Sequence, residues 1–215
     1  LGKNAWSQSN YGIALGTDSH ARLADTISIG RSSQAADVDA IAIGFDSQTG
    51  FGGQQAVAVG KNANAGGAQS IAIGNNSTSS NAQTIAIGNS ALSNNFQTVA
   101  IGDGAEATGV GAAAVGQYSA ASGLYASAWG RTASAAGEGS VAFGQQAVVA
   151  FDKAGAVAMG RQVEAVDADT THVRALYIVA PDGGTGGNGI TMLSPDGTAY
   201  KLTIANGGTL SISAV

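Results

Sequence analysis

Large apolar and small residues alternate in a block that ends in glycine and returns every 14 residues. The block reads Ile13-Ala14-Leu15-Gly16, Ile27-Ser28-Ile29-Gly30 and Ile41-Ala42-Ile43-Gly44, and continues in phase to Val157-Ala158-Met159-Gly160. Positions one and three before the glycine are mostly large and apolar, with Ala113 and Ser127 as small exceptions. The position between them is alanine except at Ser28. Such an alternation predicts a short strand with two unlike faces. A second alternation follows each glycine. Small residues stand three past it (Ser19, Ser33, Ser47, Ala63, Ser77, Ala91) and five past it (Ala21, Ala35, Thr49, Ala65, Ser79, Ser93). The position between them is variable and mostly polar. Each repeat therefore predicts two short strands and two turns.

A fixed period of this kind indicates a stacked array. Fourteen residues suffice for a flattened two-sided coil and not for a three-sided one. The fold expected over residues 1–165 is an all-β parallel β-roll, roughly 55 Å long at one strand spacing per coil. The glycine allows the chain to reverse at positive φ. Leu1-Gly2 falls in phase with the array, so the chain is expected to begin inside a longer one. The larger Ile/Val side chains are expected inside, against the Ser/Ala columns. The alanines between them then face outward as a flat apolar strip. Ala14, Ala42, Ala58, Ala72, Ala86 and Ala100 are accordingly expected near an interface between copies.

Composition narrows the function. Only 11% of the 215 residues are charged and the net charge is -5, so no basic patch is available for nucleic acid. Glycine is abundant at 33 residues, but its period is not three, which excludes collagen. No apolar run approaches the roughly 20 residues of a membrane helix. Cysteine is absent, which removes disulfides and thiolate chemistry.

At this point the residues resemble a known family. Gln69-Ser70-Ile71-Ala72-Ile73-Gly74-Asn75-Asn76-Ser77 and Gly139-Ser140-Val141-Ala142-Phe143-Gly144 are similar to the head repeats of YadA-like trimeric autotransporter adhesins. That resemblance implies a left-handed roll, three chains per head and attachment to host surfaces. The same repeat is found in bacteriophage tail fibres. After the roll, residues 166–171 read as a linker or neck, and 172–215 as a small β-rich trimerisation or tip module. Its strands are expected over 172–180, Ile190 to Leu193, Thr198 to Ile204 and Thr209 to Val215. Ser194-Pro195-Asp196-Gly197 and Asn206-Gly207-Gly208 are its turns. This ending resembles C-terminal modules of phage fibres, and neither heptads nor barrel strands follow the roll.

The leading expectation is a non-enzymatic homotrimeric attachment fibre, displayed on a virion tail. The alternatives are the head of a bacterial surface adhesin, a purely structural shaft, and a polysaccharide-degrading spike. Expected partners are further copies of the chain, a host-surface glycan or protein, and other fibre or tail proteins; no cofactor is expected. Two repeats have 16 residues, and each places a phenylalanine, Phe51 or Phe151, seven after its leading glycine. These belong on one edge of the roll, where loops carry binding residues. Trp6 and His20 head the variable outward column and are the other candidate ligand contacts. Gln55, Gln69, Gln83 and Gln97 share one place in successive coils and predict an amide ladder. Gly184 to Gly189 fits a dinucleotide fingerprint but lacks the helix that must follow. Asp167, Asp169 and His172 are too sparse for a metal centre. Asp37 with Asp39, or Asp103 with Glu106, are the only carboxylate pairs considered for glycan cleavage.

Overall fold

The computed structural model describes residues 2–173 and the backbones of three strands near the C-terminus. Chain contacts divide the protein into Leu1–Arg174 and Ala175–Val215. The first unit is built of two twelve-stranded parallel sheets. One contains three-residue strands, from Ile13–Leu15 to Thr171–Val173, and the other two-residue strands, from Trp6–Ser7 to Glu164–Ala165. Successive coils pair in strict phase, as in Ile71↔Ile85, Ala72↔Ala86 and Ile73↔Ile87. No helix occurs among the described residues.

The roll runs past the boundary expected from sequence. Thr171–Val173 pairs in parallel with Val157–Met159, so the segment read as a linker forms one more turn of the array. Residues 174–180, the rest of the strand expected there, lie outside the described residues, as do both hairpin turns. In the second unit Gly189–Leu193, Ala199–Ile204 and Leu210–Ala214 form an antiparallel three-stranded sheet. A strand therefore follows Gly189, where a dinucleotide site needs a helix.

Each coil turns twice. Gly102 illustrates the first turn, at φ 136°. A Cβ there would stand 2.5 Å from the Gly116 carbonyl oxygen of the next coil, so stacking distance demands glycine as firmly as the torsion does. Two residues further on, and again in the second turn, the backbone is left-handed. Asn62, Asn76, Gln69 and Gln83 hold φ between 55° and 59° without being glycine. Asparagine suits this conformation; glutamine is a poorer choice, and its amide ladder offsets the cost.

The interior reverses one expectation. Ala42, Ala58, Ala72, Ala86 and Ala100 have no exposed surface within a single chain. Ala58 and Ala72 cluster with Ala63 and Ala65, and Ala100 with Ala105 and Ala107, all equally buried. The Ile and Val residues on either side of each alanine point outward. Ser28 and Ser33 show why: Ser28 lies in one sheet, Ser33 leads directly into the facing strand Gln34–Ala35, and their hydroxyl oxygens are 2.8 Å apart. Sheets that close leave no space for isoleucine. Among the described residues Val149 is the largest wholly buried side chain. Several interior hydroxyls also close turns: Ser77 donates to the Gly74 carbonyl at 3.1 Å and Thr98 to that of Asn95 at 2.7 Å. A buried hydroxyl bonded in this way carries no desolvation penalty.

Candidate functional site

Three surfaces of the roll have distinct chemistry. The first is the outward face of the three-residue strands. Its two columns, beginning at Ile13 and Leu15 and ending at Thr171 and Val173, are largely Ile and Val. They form an apolar strip about 50 Å long. Ile13 is 51% exposed, Ile73 38%, Trp129 45% and Phe143 54%. A contiguous strip of this kind on one chain marks an association surface. The alanine column expected to serve as that surface is buried instead, Ala14 partly and Ala42, Ala58, Ala72, Ala86 and Ala100 completely. Alternation along the strand reveals two faces, and only the sheet spacing decides which one is inside.

The second surface is the polar face of the two-residue strands. Trp6 and His20 lie on neighbouring strands, with ring centroids 6.0 Å apart in an edge-to-face contact. Further along, Asp46, Gln48, Asn62, Asn64, Asn76 and Thr78 line a shallow depression spanning three coils. Gln48, Asn64 and Thr78 belong to the variable outward column headed by Trp6 and His20, and a second polar row runs beside them. Asn62 donates to Asn76 at 2.9 Å, Asn75 to Asn89 at 2.9 Å, and Asn89 to Asp103 at 2.8 Å. The 14-residue recurrence of Asn and Asp after the glycine was the signal available for these ladders.

The third surface is the edge formed by the second turns. Both 16-residue repeats place their insertion here, leaving Phe51 and Phe151 exposed, at 78% and 84%. They share an edge but stand seven coils apart, so they do not form one site. Phe51 has a partner: the Arg22 guanidinium is 5.4 Å from its ring centre. Asp37 braces that loop by accepting from the Gly52 and Val38 amides at 2.7 and 2.8 Å. The glutamine ladder runs along the same edge, with Gln69 donating to Gln55 and Gln97 to Gln83, each at 3.2 Å.

One carboxylate of each pair named for glycan cleavage is engaged in hydrogen bonds of its own. Hydrogen bonds from Asn89 and then Gln117 hold the Asp103 carboxyl below its ordinary value of 3.8. A general acid requires a shift in the opposite direction. Asp37 is engaged by backbone amides, as described above. At the C-terminal end of the roll, Thr170 Oγ1 lies 2.7 Å from His172 Nε2.

Residues 24–47, 52–77, 65–91, 93–119 and 121–147, more than half of the chain, match the family described as the YadA head domain repeat. Among solved structures, the collagen-binding domain of the Yersinia adhesin YadA is similar at 19% identity and a TM-score of 0.30. That alignment covers 90% of this chain and 83% of the other. No curated protein matches.

Proposed function

We infer the function from one premise: the chain belongs to the family of YadA head domain repeats. An adhesin-like, non-enzymatic role follows at the level of the family. The fuller reading is an extracellular, homotrimeric attachment fibre that contacts a host cell surface. The observation that carries it is the apolar strip, which one chain leaves uncovered from Ile13 to Val173. Three copies joined through this strip bury it and leave the polar face and the second-turn edge outside. Host contact is assigned to those two surfaces, through Trp6, His20, Phe51 and Phe151. Tyrosine, tryptophan and phenylalanine projecting among polar groups suit both glycan and protein ligands. Three copies of each site provide avidity, so each is permitted to be weak.

The three-stranded sheet over Gly189–Ala214 favours a tail-fibre form, with that sheet as trimerisation or tip module, over a stalked bacterial adhesin. The test is native mass together with binding to intact bacterial and animal cells. A mass of three chains is expected, with binding lost in the monomeric variant Ile87→Asp and reduced by Phe51→Ala with Phe151→Ala. Preference for bacterial cells supports the tail-fibre form, and preference for animal cells supports the adhesin form. A native monomer, or a monomeric variant that binds as strongly as the parent, overturns the reading.

A further inference from the structure

One volume compensation in the chain finds no use inside the chain. The apolar strip is Ile and Val almost throughout, except where Ala113 and Ser127 indent its first column and Trp129 and Phe143 raise its second. Ser127 and Trp129 occupy a single strand, Ser127–Trp129, and both point outward. At this level the interior is filled by Ala128, Ala133 and Ala135, all wholly buried. The notch and the projection therefore do not fill one another across the core. Resting on the trimer reading above, we propose that Trp129 enters the Ser127/Ala113 notch of a neighbouring copy and locks the axial register of the assembly.

Rotation about an axis parallel to the roll leaves height unchanged, so the second column of one copy faces the first column of the next at the same coil. Trp129 then meets Ser127. A uniform Ile/Val strip would be nearly indifferent to sliding by one coil, about 4.8 Å, because each side chain would meet another like it. A closed ring must return to its starting height. Any slid copy therefore moves up against one neighbour and down against the other. One of those interfaces still seats both bulky residues, Trp129 against Ala113 and Phe143 against Ser127, but at the other Trp129 is driven against Val141 and Phe143 against Val157, while the Ser127 notch meets only Val115. Bulk against bulk and an unfilled notch both oppose the slip.

The absence of cysteine makes register directly measurable by disulfide trapping. Ile71→Cys with Ile73→Cys reports copies in register, and Ile71→Cys with Ile87→Cys reports a one-coil slip. In the parent background the slipped product is expected to be about tenfold the scarcer, the population factor of a typical overpacking penalty. Levelling the strip with Ser127→Val and Trp129→Val is expected to make the two products comparable while native mass stays at three chains. An unchanged ratio in a levelled trimer overturns the lock and spares the trimer reading, whereas a monomeric parent overturns both. Should the levelled chain fail to assemble, the exchange Ser127→Trp with Trp129→Ser decides the question. It preserves the fit between copies, so it is expected to assemble where either single change does not, and its failure also overturns the proposal.

Discussion

Replacing Gly102 by alanine separates the two demands that the roll makes on its recurrent glycine. Gly102 has φ 136°, which an L-residue avoids, at a cost of about 1–2 kcal/mol or more. The added Cβ would also stand 2.5 Å from the Gly116 carbonyl oxygen and 2.6 Å from its carbon. Ordinary contact begins at 3.4 Å, so the coils must part by roughly 0.9 Å, the difference of those two distances. Yet Gly102 donates to Ile87 at 2.8 Å and Gly116 to Ile101 at 2.8 Å, and such a shift stretches this ladder. Overpacking against fixed backbone adds about 1–3 kcal/mol. The sum is a loss of about 2–5 kcal/mol. Gly139 is the control: its φ is 61° and nothing lies within 4 Å of its Cβ direction, so Gly139→Ala meets only the milder left-handed torsion that Asn and Gln already adopt elsewhere in the roll. Urea denaturation followed by far-ultraviolet circular dichroism, at one fixed protein concentration, measures both. If Gly102→Ala costs no more than Gly139→Ala, close coil stacking is not what selects glycine and the reasoning fails.

Three further outcomes are expected. Ala86→Asp places a charge in an interior of Ala, Ser and Thr and should abolish the fold, whereas Ile87→Asp should retain strand dichroism and separate the copies, as sedimentation would show. Gln83 holds φ 59°, so Gln83→Ala should be less stable than Gln83→Gly by about 1 kcal/mol in thermal melts, the reverse of the usual order in strands. Because the folded pKa of Asp103 is depressed, its contribution is complete above 3.8 and disappears as pH falls through the lower folded value. Asp103→Asn should therefore flatten the acid limb of a stability-versus-pH profile at its low end, and an unaltered limb would show that the Asn89 and Gln117 bonds do not favour the ionised form.

Much of the molecule was legible before any coordinates. The interval between Gly74 and Gly88 predicted the coil, and the Gln55–Gln97 recurrence predicted a ladder whose amide bonds the structure contains. Matching offsets put Phe51 and Phe151 on one edge, because an insertion in an array must emerge at the same turn each time. The Asn75–Asn89–Asp103 ladder was less legible because it passes from Asn to Asp and spans only three coils, although its 14-residue spacing is present in the sequence. The linker expected at 166–171 proved to be a turn of the roll because its coil ends in Thr171-His172-Val173 and lacks the Ile/Val-Ala pattern, although its backbone still pairs.

The sequence by itself determined the period, the turns and the existence of two faces on each strand, since these depend on local torsions and on residues 14 apart that stack directly. Only the tertiary structure decided which face is inside. Burying the larger side chain is the ordinary preference, and it pointed Ile73 inward and Ala72 outward. The two sheets close until Ser28 and Ser33 share a hydrogen bond across the interior, and at that separation alanine fills the space that isoleucine cannot enter. The large apolar residues are thereby turned outward, and the thickness of a 14-residue coil, a property of no single residue, is what moves the exposed apolar face, and with it the proposed association surface, from the alanines to the Ile/Val columns.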